Sequence, residues 1–241
     1  MKTQFWLAAA CSAAGVLFAT QGLAQTPPPG FLYDVGAANP GATPTQYTLY
    51  STTFTADQST TLVSFAFREA PAYWAFDDIS VVANGTSTNL LSNPSFESSG
   101  GAVNTNFPGG GWGRWIQAID TSAIGQVASN TSTYGCNVGA RTGTIFWCDG
   151  SVQGYDALYQ SVPTVAHQTY TTSFYLEDNS HSSFFDTAND PTDPSIDVLV
   201  YAGDTLPVGS IPIGGVPEPA TWSLLGFGAL AAWLMRRRQR G

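Results

Sequence analysis

Two cysteines, a cluster of aromatic side chains and a surplus of carboxylates are the chemical resources of this 241-residue chain. Cys136 and Cys148 are the pair that remains once the extreme N-terminus, with its Cys11, is set aside. In an oxidising compartment such a pair closes a short loop as a disulfide, contributing on the order of 3 kcal/mol through loop entropy. In a reducing one, both stay free thiols. With only His167 and His181 in the chain, a zinc site has no ligands at a familiar spacing. Trp112, Trp115, Trp147, Tyr134 and Tyr155 fall in one loop-rich stretch, with Arg114 and Arg141 beside them. Exposed rings of this kind stack on sugar faces while a guanidinium donates hydrogen bonds; buried, the same rings are core. No catalytic signature is present: no G-x-S-x-G elbow, no H-E-x-x-H, and no glycine-rich phosphate loop entering a helix. The expectation is a non-catalytic protein, although carboxylates are numerous enough to leave a glycosidase pair open.

The ends of the chain say where such a domain would work. Lys2 is followed by an apolar run from Phe5 to Phe18 and then by Gly22-Leu23-Ala24, small residues at the positions a signal peptidase reads. Residues 1–24 therefore read as a secretory signal peptide cut before Gln25, the alternative being an uncleaved N-terminal anchor. Ala8-Ala9-Ala10-Cys11 leaves too little apolar chain ahead of it to serve as a lipoprotein box. At the other end, Pro217-Glu218-Pro219 runs into an apolar stretch from Ala220 to Met235, closed by Arg236, Arg237, Arg238 and Arg240. As a helix, 220–235 would span roughly 24 Å, short of a hydrocarbon core of about 30 Å but within reach of snorkelling arginines. The arginines favour the cytoplasmic side, which leaves the upstream chain outside the inner membrane.

Between these ends, residues 25–216 carry Arg68, Arg114 and Arg141 as their cations, no lysine, and 16 of the 17 acidic residues. That balance excludes nucleic acid and anionic lipid surfaces as partners and favours cations or neutral partners such as sugars. The stretch is rich in Thr, Ser, Gly, Asn and aromatics, a strand-and-turn composition. After Pro27-Pro28-Pro29-Gly30, residues 25–45 read as linker and lead-in. Period-two runs follow: Val63, Phe65 and Phe67; Trp74, Phe76, Ile79 and Val81; Tyr170, Thr172, Phe174 and Leu176; Ile196, Val198 and Val200. The expected fold is an all-β, antiparallel, jelly-roll-like sandwich over 46–215, flanked by the signal helix and the C-terminal membrane helix.

Two resemblances add to this reading. Pro-Glu-Pro, an apolar helix and a terminal arginine block, over 216–241, resemble the PEP-CTERM sorting signal of Gram-negative bacteria. That resemblance implies cutting near Pro217, Glu218 and Pro219 by an exosortase, a membrane cysteine protease, with only transient membrane residence and release to the surface or extracellular matrix. A permanent anchor is the alternative. The same tail is also catalogued as an ice-binding protein C-terminal domain, but the sequence shows no flat, regular threonine array. In the middle, Asn89-Leu90-Leu91-Ser92-Asn93-Pro94-Ser95-Phe96-Glu97 with Gly111-Trp112 resembles the opening strand of galactose-binding-like jelly rolls, including family 4/9 carbohydrate-binding modules. Gln160–Val162 through Tyr170–Phe174 resembles their central strands, and Phe76-Asp77-Asp78-Ile79-Ser80-Val81 their last. The last strand precedes the first here, which fits a circular permutation. The resemblance implies a structural calcium ion held by Glu97 and Asp78, with Asp77 as a further ligand. It also strengthens a sugar-binding role for Trp112, Trp115, Trp147, Tyr155 and Arg141. Asp186, Asp190, Asp193 and Asp197 are a rival acidic group of irregular spacing. The function expected is an exported, exosortase-processed protein associated with extracellular polysaccharide; a structural or adhesive surface protein without a ligand is the alternative, and a glycoside-active enzyme the remote one.

Overall fold

The structure, a computed structural model, describes residues 26–38, 44–69, 72–98, 103–117, 125–152, 154–178 and 196–213. The expected signal peptide, the sorting tail, its helix over 220–235, and Asp186, Asp190 and Asp193 lie outside these residues. No helix among the described residues is long and apolar enough to cross a membrane.

Among the described residues, eleven strands and one short helix follow in order: β1 (Tyr33–Asp34), α1 (Val35–Ala38), β2 (Thr48–Thr55), β3 (Thr60–Glu69), β4 (Trp74–Ala83), β5 (Gly113–Gln117), β6 (Gln126–Ser129), β7 (Ile145–Asp149), β8 (Asp156–Pro163), β9 (Thr169–Asp178), β10 (Ile196–Gly203) and β11 (Ser210–Ile213). They form two antiparallel sheets, a six-stranded one in the order β1-β10-β3-β8-β5-β11 and a five-stranded one in the order β2-β9-β4-β7-β6. Each step from β2 to β5 changes sheet, and the pairings nest: β2 with β9, β3 with β8, β4 with β7. The chain is thus a long ribbon folded back on itself and wrapped into a sandwich.

The period-two runs supply the inner faces. Val63, Phe65 and Phe67 of β3 meet Phe76 of β4 and Phe174 of β9, with ring centroids 4.9–5.5 Å apart for Phe65–Phe76, Phe65–Phe174, Phe67–Phe76 and Phe76–Phe174. Each ring so buried contributes about 1.5–3 kcal/mol. In β4 the inward residues Phe76 and Ile79 are three apart, and a β-bulge between Asp77 and Ser80 absorbs the extra residue. Asp78, at φ 50°, takes the left-handed conformation there.

The segment expected as an opening strand, 89–97, is not a strand. It lies beside the second half of β4, which β7 leaves uncovered because β7 pairs only with Trp74, Ala75 and Phe76. Leu90 N–H donates to Val81 O and Ile79 N–H to Pro94 O. Asn89 completes the edge with its side chain, accepting from Val81 N–H and Leu91 N–H and donating to Ile79 O. Phe96, fully buried at φ 61°, packs against Phe76 and Trp112. The expected neighbourhood of the Asp77-Asp78 and Phe96-Glu97 segments therefore exists inside one core, but the strand order is that of the wrapped ribbon and the 89–97 segment has turn geometry.

Both outer sheet faces are partly covered. Cys136 and Cys148 are bridged, Cα atoms 5.9 Å apart, and pin the 130–142 loop over the outer face formed by Ala75, Ala128, Phe146 and Cys148. On the six-stranded sheet, Thr26 to Leu32 crosses Trp115, Tyr155 and Tyr201: Gln117 Nε2 donates to Thr26 O, Tyr201 Oη to Pro28 O, and Leu32 N–H to Val200 O.

Candidate functional site

Asp77, Asp78 and Glu97 converge on one loop, and the loop neutralises them. Asp77 sits in the β4 bulge, where its Oδ1 accepts from Asp78 N–H and its Oδ2 from Arg141 and Thr142 N–H. Burial, with the Asp78 charge beside it, pushes its carboxyl up to about 7 against the pull of those N–H groups. Asp78 accepts from Arg141 Nη1 at 2.6 Å and from Thr142 Oγ1 at 2.7 Å. Glu97 accepts from the N–H groups of Thr144 and Ile145, both at 2.8 Å, and from Thr144 Oγ1. These three side chains do not fit a shared calcium ion. Their oxygens are occupied by N–H and O–H donors, the cation beside them is Arg141, and among the described residues no group of three or more His, Cys, Asp or Glu is placed to hold a metal. What they hold is the end of the disulfide-pinned loop, and with it Arg141, whose guanidinium lies 3.3 Å over the Tyr175 ring.

The four rings expected to stack on sugar are interior. Trp112 is 4 % exposed, and Trp115, Trp147 and Tyr155 are fully buried, so none presents a ring face to solvent. Their polar edges find internal partners: Trp112 donates to Asn93 O, Trp115 to Ser64 Oγ, Trp147 to Asp149 Oδ2 and Tyr155 to Asp197 Oδ2. Of the residues considered for sugar contact, Arg141 and Tyr134 stay at the surface.

A buried carboxylate pair is likewise internal. Asp156 accepts a two-pronged contact from Arg114 and one from Gly125 N–H; Asp149 accepts from Trp147 and Ser151. All three charged groups are about 1 % exposed or less. Burial and the Asp156 charge push the Asp149 carboxyl well above its usual range. Gly125 is required here: a Cβ would stand 2.3 Å from both Asp149 Oδ2 and Trp147 Cζ2. A glycosidic bond has no access to this pair.

The surface that remains is the uncovered half of the five-stranded sheet's outer face. Tyr50 and Phe54 of β2 and Tyr170, Phe174 and Leu176 of β9 point inward, so their alternate neighbours point out. Register then aligns them in rows: Thr55 with Thr169, Thr53 with Thr171, Ser51 with Ser173, and Ser173 with Ser80 of β4. Thr55 and Thr169 hydroxyls are 3.3 Å apart, Ser80 and Ser173 hydroxyls 2.8 Å, and Thr171 Oγ1 donates to Asn84 Oδ1. Rows about 4.8 Å apart across strands and about 6.7 Å along them follow from sheet geometry. The next row, Leu49 and Tyr175, ends under Arg141. Against the expectation of no flat threonine array stands a mixed serine and threonine array, in register across β2 and β9. The array draws three residues from each of β2 and β9 and one from β4, and the alternation Ser51, Thr53, Thr55 and Thr169, Thr171, Ser173 was its sequence signal.

Residues 215–239 match the PEP-CTERM protein-sorting motif. The motif implies an exported, surface-sorted protein processed by an exosortase. No curated protein and no solved structure matches the chain.

Proposed function

We propose that this protein is a non-catalytic surface or matrix protein that lays extracellular polysaccharide along the hydroxyl-lined face of β2, β9 and β4. The observation that carries this reading is the array of Ser51, Thr53, Thr55, Thr169, Thr171, Ser173 and Ser80, exposed or half-buried on the outer face of the five-stranded sheet. Hydroxyl rows donate and accept, as a sugar chain does, and Arg141 fixed over Tyr175 adds a donor and a ring edge at one end. The acidity of the chain suits a neutral or cationic polymer rather than an anionic one. Exosortase sorting would put the face outside the cell, where such polymers are.

Cosedimentation of the full-length protein with a panel of insoluble polysaccharides tests this. The paired variant Thr53→Val and Thr171→Val keeps β-branching and is expected to fold within about 0.5 kcal/mol of the parent. It should lose polysaccharide retention at least about fivefold, roughly 1 kcal/mol. Equal retention by variant and parent, or none by either, favours the structural or adhesive protein without a ligand. A hydroxyl array in register is also a surface that ice could meet, and thermal hysteresis measured on the same two proteins separates that second reading.

A further inference from the structure

A cavity of about 240 Å³ opens between the β2–β3 turn and the end of β10, and Thr55 lines both it and the hydroxyl face. Its polar wall is Asp57, Gln58, Thr60 and Asp204, with Phe54 behind, and no cationic side chain contributes. The turn that carries Asp57 and Gln58 is tied to the β8–β9 turn by four hydrogen bonds. Ala56 N–H donates to Gln168 O, His167 N–H to Ala56 O, Thr164 N–H to Ser59 O, and Thr164 Oγ1 to Gln58 O. A site held this way loses little freedom on binding.

We propose that this cavity takes one protonated amino-sugar unit, the end or a branch of the polysaccharide that lies on the adjoining face; the proposal rests on the reading of that face. Three features select this ligand. The volume lies below the roughly 300–1,000 Å³ of drug-sized sites, leaving room for a single ring. Two carboxylates without a cation repel uronates and sulfated sugars and form charge-assisted hydrogen bonds with an ammonium group. Thr55, Thr60 and Gln58 supply neutral donors and acceptors for ring hydroxyls. Thr55 stands in the first row of the face and also lines the cavity, so the two adjoin at this residue.

Titration calorimetry of the full-length protein with glucosamine, glucose, glucuronate and CaCl₂, at a pH where the amine is protonated, decides it. Glucosamine should bind at least about tenfold more tightly than glucose, and glucuronate should not bind. The double variant Asp57→Asn and Asp204→Asn should abolish that preference while neutral polysaccharide is still retained. Equal binding of glucosamine and glucose, no binding of either, or displacement of glucosamine by calcium at this cavity overturns the proposal. If glucosamine fails but the Thr53/Thr171 variant still loses polysaccharide, the cavity proposal falls and the face reading stands. If glucosamine binds but that variant retains polysaccharide, the face reading falls and the cavity stands alone.

Discussion

Asn89 does for β4 what a neighbouring strand does elsewhere, with one side chain making three hydrogen bonds to or beside the β4 edge. Asn89→Ala leaves two N–H groups and a carbonyl without those partners, and is expected to cost about 2–3 kcal/mol. Urea unfolding should show a lower midpoint with an unchanged slope; an unaltered midpoint would mean water serves the edge equally well. The aromatic residues teach a related lesson. Trp112, Trp115, Trp147 and Tyr155 were legible as important but not as interior, because a ring's type and neighbours in sequence are the same whether it faces sugar or core. What decided it was an internal acceptor for each polar edge.

At the scale of elements, the disulfide and the carboxylates act on the same loop from two ends. Cys136 and Cys148 hold its middle on the β7 face, while Asp77, Asp78 and Glu97 hold residues 141–145. Replacing both cysteines by serine should lower stability by about 2–4 kcal/mol. Amide hydrogen exchange at Arg141, Thr142, Thr144 and Ile145 is expected to accelerate, since those N–H groups are protected only while the loop stays down. Unchanged exchange there would show that the carboxylates alone secure the loop. The strands of this region were readable from alternation, and the odd spacing between Phe76 and Ile79 corresponds to the bulge. The turn geometry of 89–97 was not readable, because a short apolar run beside polar turn formers satisfies strand and turn patterns alike.

At the scale of the whole molecule, the interior stores protons. Burial pushes the Asp77 and Asp197 carboxyls up to about 7 and Asp149 well above its usual range, whereas in the unfolded chain all three ionise near 3.9. The folded state therefore binds more protons between these limits. The stability these three groups contribute is full below about pH 4 and declines as pH rises toward 7. Melting should occur at a higher temperature at pH 5 than at pH 8, with about 2–3 kcal/mol arising from each of Asp77 and Asp197. Asp197→Asn should flatten the profile by its share. A protein whose stability rises from pH 5 to pH 8 would mean these carboxyls are ionised in the folded state.

Composition, alternation and the Pro-Glu-Pro tail determined by themselves that this chain carries a PEP-CTERM sorting motif, which implies export and exosortase processing, and forms an antiparallel two-sheet sandwich. Those features are local: a period of two, a sorting motif and a charge balance are each written in contiguous residues. The cysteine pair was legible too, given the compartment. Only tertiary structure decided which carboxylates meet, which rings are covered and which face is bare. Asp77, Glu97 and Arg141 lie far apart in sequence, and strand register alone aligns Thr53 with Thr171. Register is set by the packing of Tyr50 on Phe174 and Phe54 on Tyr170 across two strands more than a hundred residues apart, which no window of the sequence contains.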